Sequence, residues 1–215
     1  MARKQDRRKS SPAAAILTVL VLAALFVWRM LGSPEDGKTQ ITLPNGELHV
    51  WFLDVGQADS SLLVCDGQAM LIDGGTVDDA SYVVASLEHY GVTSLDYVIN
   101  THCDEDHVGG LAGVLAKFPA EHVWSSTAEY GTKAFSNFVK YANEQGRAIE
   151  IPSPGDTFTL GEAEITVLGP LRDYENNNEN SIVLRVDYGE TSFLFTGDMG
   201  ITAEDELVES GARLD

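Results

Sequence analysis

Positive charge is scarce in this sequence beyond residue 33. Of 14 lysines and arginines, six (Arg3, Lys4, Arg7, Arg8, Lys9, Arg29) lie before residue 34, where Asp6 is the lone acid; the remainder carries 8 basic residues against 32 acidic ones. Such a surface repels polyanions, so a nucleic-acid binder that works by neutralising phosphates is excluded unless cations intervene. Cysteine is equally sparse. Cys65 and Cys103 form no CxxC pair, which excludes a disulfide framework. Cys65 alternates with apolar neighbours in SLLVCDG and reads as a core thiol. Cys103 lies beside His102 and Asp104, but in extended chain its side chain points away from theirs, so it is not counted as a ligand. No repeat of 20 to 50 residues is present, which excludes a solenoid. Only five histidines occur, and none follows His122.

One long apolar run exists. Ala13 to Trp28 is sixteen residues with only Thr18 polar, followed by Arg29, Met30, Leu31 and Gly32 and preceded by a basic dodecapeptide. With Arg29 reaching the far interface, residues 13–32 suffice for a membrane-spanning signal anchor. The positive flank then keeps residues 1–12 in the cytoplasm and places the acidic remainder outside the cell, or in the medium if the segment is cleaved. Residues 33–46, rich in Gly, Pro and polar side chains, read as a linker, and residues 47–215 as one domain.

Within that domain, Leu48 to Gly56, Ser60 to Gly67 and the QAMLIDGG stretch read as three successive strands. Helical spacing runs from Asp78 to Tyr90, and LDYVIN (95–100) is a buried strand. A helix is predicted over Val108 to Phe118, a strand over His122 to Ser125 and a helix over Thr132 to Gln145. Beyond Pro154 the pattern turns to strands (DTFTL, EITVLG, SIVLRVDYG, TSFLFTG), and then to a helix over Thr202 to Ser210. His49, His89 and His122 fall on these elements at ordinary edge or surface positions.

At the end of LDYVIN stands THCDEDHVGG, with two histidines and three acids in six positions, His102 to His107. Asp104, Glu105 and Asp106 cannot all ionise in a partly buried site without a cation, because desolvation and mutual repulsion raise their pKa values. A divalent metal removes that conflict. Residues two apart in extended chain face the same way, so His102 and Asp104 can share one ion, and after a turn Asp106 and His107 can serve a second. Gly109 and Gly110 permit close approach and the bend into the next helix. A solvated acidic loop capping that helix is the plainer alternative.

HCDEDHVGG resembles the metal motif of the metallo-β-lactamase superfamily, with aspartate at its second histidine. That variant is similar to the nuclease-like domain of ComEC-type competence DNA-uptake proteins. FLDVGQADS (52–60), LIDGG (71–75), NNNENSIVLRVDYG (176–189) and FLFTGD (193–198) resemble further segments of that group in the same order. The resemblance implies an α/β fold, the αββα sandwich, here following an N-terminal transmembrane helix. It assigns His102 and Asp104 to a first metal, Asp106 and His107 to a second, and Asp198 to a bridge. Asp106 is the residue on which catalysis is placed, and Asp73 is a structural support of the site. Asn180 and Ser181, which lie where many members place a further histidine, are candidates for metal or substrate contact. Asp54, Gln57 and Asp59 are expected at most to line the cleft.

The implied cofactors are two divalent ions, zinc or manganese. The implied reaction is hydrolysis by water activated to hydroxide, on a phosphodiester substrate, DNA included. The group continues beyond its GD strand with a further lysine and paired histidines, whereas this sequence stops at Asp215. The expectation is therefore a sandwich whose second half is incomplete. A membrane-tethered domain that keeps the fold but lacks a full metal set is the alternative to an enzyme.

Overall fold

A computed structural model of the chain describes residues 43–214. The predicted membrane span and the basic segment before it lie outside the described residues, and no helix among those described is long and apolar enough to cross a membrane. Within the stretch read as a linker, Leu43 already packs against the core and the Gly46 N–H donates to Asp66 Oδ1.

Two sheets face each other. The first has five strands in sequence order: β1 (Leu48–Phe52), β2 (Ser61–Cys65), β3 (Gln68–Ile72), β4 (Leu95–Asn100) and β5 (Ala120–Ser125). β1, β2 and β3 pair antiparallel, while β3–β4 and β4–β5 are parallel. The parallel pairs need crossovers. α1 (Ala80–His89) links β3 to β4, and α2 (Glu105–Val108) and α3 (Leu111–Lys117) link β4 to β5. α4 (Lys133–Glu144) follows, capped by the Thr132 hydroxyl on the Phe135 N–H. The second sheet is an antiparallel meander of β6 (Thr157–Leu160), β7 (Ala163–Gly169), β8 (Val183–Tyr188) and β9 (Thr191–Phe195), and α5 (Ile201–Glu209) packs beside β7.

Burial on both faces explains why the runs of β2 and β3 read as continuous apolar stretches rather than alternating ones. Leu62, Val64, Leu71, Val98 and Val123 turn toward the helices and join Leu87, Leu111, Phe135 and Phe138 in one core. Their neighbours Leu63, Met70, Ile72, Ile99 and Trp124 turn the other way, against Ile165, Val167, Leu184, Val186 and Phe195 of the second sheet. Cys65 belongs to this inter-sheet core, as its alternation predicts. The outer face of the second sheet is polar, with Glu164, Thr166, Arg185, Asp187 and Ser192 around a shallow depression remote from the histidines.

The predicted helix over Val108 to Phe118 is broken. Helical turns run Glu105–Val108 and Leu111–Lys117, and Gly109 and Gly110 separate them. A Cβ at Gly110 would strike the carbonyl oxygen of Gly74, and one at Gly109 would strike the Glu105 carbonyl. The backbone of this turn lies directly on the loop that follows β3.

Candidate metal centre

Parallel strands deliver their C-terminal ends to one edge, and ligands in open α/β sheets gather there. Asp73 follows β3, and the 101–107 loop follows β4. The DVGQADS loop, 54–60, joins β1 to β2 at the same edge. Backbone hydrogen bonds lace the three loops together: Asp59 N–H to Asp106 O (3.1 Å), Gly75 N–H to Asp59 O (2.8 Å), Gly74 N–H to His107 O (2.8 Å) and Gly110 N–H to Gly75 O (3.1 Å). The second sheet joins through Ile182 N–H to Thr101 O at 2.9 Å. The Thr196–Gly197–Asp198 turn packs so closely that a Cβ on Gly197, at φ +50°, would lie 2.8 Å from Thr101 Oγ1.

Asp73 is the keystone. It is 1% exposed, with a left-handed φ of +58° unusual for a residue with a side chain. Its Oδ1 accepts from the Thr101 N–H at 2.8 Å; its Oδ2 accepts from Thr101 Oγ1 at 2.7 Å and from His107 Nδ1 at 2.9 Å. Thr101 Oγ1 also lies 3.2 Å from His102 Nδ1. The hydroxyl has one proton and gives it to Asp73, so toward His102 it must accept. Both imidazoles therefore carry a proton on Nδ1 and turn Nε2 into the same space, with ring centroids 4.1 Å apart. A carboxylate behind a ligating histidine is the usual support of a metal site.

That space is framed for a cation. His102 is fully buried, and its Nε2 has no hydrogen-bond partner. A buried imidazole nitrogen without a partner is costly unless something binds it. Asp104 Oδ2 stands 3.6 Å from it, and Asp198 Oδ1 stands 3.4 Å from His107 Nε2. Ligand atoms of His102, His107 and Asp198 all lie within 4.8 Å of one another. The histidines form the floor, while the two acids, about two-fifths exposed, form an open rim. Two neutral nitrogens and two carboxylate oxygens fit a divalent ion of the zinc–manganese range.

The two histidines of the site are held in opposite charge states. Burial opposes protonation of His107, but the hydrogen bond and charge of Asp73, joined by Asp198 and Asp59, outweigh it and hold this histidine up at about 9. Burial and the neighbouring His107 push His102 down, so it stays neutral. The metal-free site thus holds an imidazolium where a cation would sit.

The residues named from sequence divide as follows. His102, Asp104, His107 and Asp198 converge, and Asp73 supports them. Asp106 stands on α2, and its backbone carbonyl accepts from the Asp59 N–H at 3.1 Å. Asn180 is spent on its own loop: its Oδ1 accepts from Tyr174 N–H and its Nδ2 donates to Tyr174 O and Asn176 O. Ser181 is buried and donates to Asn178 O. The contacts to the acids come instead from Asn177, on Asp104 Oδ1 at 2.6 Å, and Asn178, on Asp198 Oδ2 at 3.3 Å. Three asparagines in a row gave no way to choose among them.

Cys103 turns into the helix-side core, and burial drives its thiol up to about 11, so it offers no thiolate. Asp59 emerges as a site residue. Partial burial raises its pKa; the cationic His107 opposes the rise, and the charges of Asp73, Asp198 and Asp106 add to it. Asp59, Asp73 and His107 also form a close triplet. Asp73 and His107 Nδ1 are already committed to each other there, which leaves Asp59 as the free carboxylate.

A helix–sheet–sheet sandwich with histidines and acids at the strand ends defines the class, and the chain belongs to the metallo-beta-lactamase superfamily, whose family profile matches residues 53–214. The resemblance to the ComEC-like group holds as well. ComE operon protein 3 of Bacillus subtilis is 26% identical over 76% of this chain and 24% of its own length. Competence protein ComA of Neisseria gonorrhoeae is 30% identical over 88% of this chain and 24% of its own. Recombination protein 2 of Haemophilus influenzae is 28% identical over 76% and 20%. The chain thus spans a quarter or less of these curated relatives. Among solved structures, a Cronobacter sakazakii metallo-beta-lactamase mutant matches 77% of this chain and 70% of its own at TM-score 0.51 and 18% identity. One from Staphylococcus aureus subsp. aureus COL matches 78% and 51%, also at 0.51 and 18%. These likenesses show the fold.

Proposed function

We propose that this chain is a membrane-anchored, metal-dependent hydrolase of phosphodiesters, with its domain outside the cell. One observation carries the metal reading: two buried imidazoles, their Nδ1 protons fixed through Thr101 and Asp73, aim Nε2 at a common point where one of them has no partner. His102 and Asp104 would hold one divalent ion, Asp106 and His107 a second, and Asp198 would reach both. Such ions, when bound, lower the pKa of water toward neutrality and offset charge on a phosphoryl oxygen. The chain's own part is to hold the donors rigid on three laced loops, to keep His102 neutral, and to leave the acidic rim open to substrate. An oxygen-rich donor set favours manganese over zinc. The run at residues 13–32 and its basic flank support the anchor and the outside placement. The names of the competence relatives support DNA as one substrate, and the charge of the domain favours a small phosphodiester.

The test is metal content and manganese-dependent cleavage of bis(p-nitrophenyl) phosphate by the full chain in detergent. Turnover abolished by Asp106→Ala and by His102→Ala is the expected result. A folded protein that binds metal without turnover would make it a tethered non-catalytic domain, and one that binds no metal would refute the site.

A further inference from the structure

We infer that the loop from Asp173 to Ser181 is a clamp whose two adjacent amides, Asn177 and Asn178, fix how Asp104 and Asp198 bind a cation. The inference rests on the metal reading above. Each carboxylate is divided between two kinds of neighbour. Asp104 gives Oδ1 to the Asn177 amide and turns Oδ2 toward the unpartnered, fully buried His102 Nε2. Asp198 gives Oδ2 to the Asn178 amide and turns Oδ1 toward His107 Nε2. The pattern is the same on both sides, although Asp104 belongs to the loop after β4 and Asp198 to the turn after β9. An oxygen that accepts an amide proton is a poorer donor to a metal. The acids are thereby set to bind through one oxygen each, which leaves coordination positions open for substrate.

The clamp is itself braced. Asn180 closes the loop on Tyr174 and Asn176, and Glu179 accepts from the Ala203 N–H at 2.7 Å near the start of α5. Arg172 forks onto Glu206 of α5, which also receives the Tyr174 hydroxyl. The amides of Asn177 and Asn178 take no part in this bracing. Among the described residues, their side-chain donors go to the two acids alone. Loop integrity and ligand orientation therefore rest on different side chains, and substitutions that keep the backbone separate them experimentally.

The experiment titrates Mn2+ and Co2+ into the full chain and its Asn177→Ala and Asn178→Ala variants, and records the visible Co2+ spectrum and the thermal midpoint of each metal-free protein. Orienting partners of metal ligands change affinity by about 10–100-fold. Each variant should lose affinity in that range. Its Co2+ band should weaken as a freed carboxylate oxygen raises the coordination number, while the metal-free midpoint stays at the wild-type value. Wild-type affinity and spectrum in both variants would overturn the clamp, and so would a lowered midpoint with an unchanged spectrum. A wild-type chain that takes up neither ion would instead refute the metal reading itself. Asn177→Leu keeps the branched shape and lacks the donor, and it serves if Asn177→Ala does not fold.

Discussion

His107 and its neighbours set the behaviour of the site at the scale of single residues. In the metal-free protein this histidine is protonated up to about pH 9. Its folded pKa lies above the ordinary value, so it stabilises the fold fully below about pH 6.5, and that contribution is lost as pH rises through 9. A metal held by His107 would take the place of the Nε2 proton. Apparent affinity should therefore fall about tenfold for each pH unit below 9, with one proton released per site loaded at neutral pH. Isothermal titration in buffers of different ionisation heat checks both. Asp59→Asn removes one of the charges that raise His107 and should lower its pKa, readable by imidazole NMR titration. Asp73→Asn should cut metal affinity by about 10–100-fold and lower the metal-free melting point, because an amide cannot accept all three hydrogen bonds that Asp73 accepts.

Elements place those residues, and glycine decides how closely. Gly110→Ala drives a methyl group into the Gly74 carbonyl. It should cost at least ~3 kcal/mol, at or beyond the upper end of ordinary overpacking, and should loosen the metal loop. Urea unfolding with and without Mn2+ measures both effects. At this scale much was legible in the sequence. LDYVIN is a strand to the residue, Thr132 and Gln145 flank α4 as caps, and all four late strands stand where their apolar runs put them. The division of the 108–118 helix was not legible, because its cause is a contact with Gly74, remote in the chain. The same limit hid Asn177 and Asn178. A run of like residues carries no periodicity, and only the partners supplied by Asp104 and Asp198 distinguish them from Asn180. Asp59 was expected at most to line the cleft; its backbone bond to Asp106 and its closeness to Asp73 and His107 join it to the site through contacts remote in sequence.

Over the whole molecule, charge governs approach. With 8 basic residues against 32 acidic ones beyond residue 33, a polyanionic substrate meets repulsion that salt screens. KM for an oligonucleotide should fall as ionic strength rises from 20 to about 150 mM, the reverse of a basic nuclease, while KM for bis(p-nitrophenyl) phosphate stays nearly constant. Steady-state assays across a salt series discriminate the two. The site is also divided between the two sheets. His102, Asp104 and His107 follow β4, whereas Asp198 follows β9. At a synthesis rate of about 5–20 residues per second, the two groups leave the ribosome on the order of 5–20 s apart. For that interval the nascent chain displays a half-built cluster of imidazole and carboxylate, open to whichever ion is most avid rather than to the one the finished site prefers. Of these four donors, the one the second sheet brings is made last, so any preference among ions that depends on Asp198 waits for that sheet to fold.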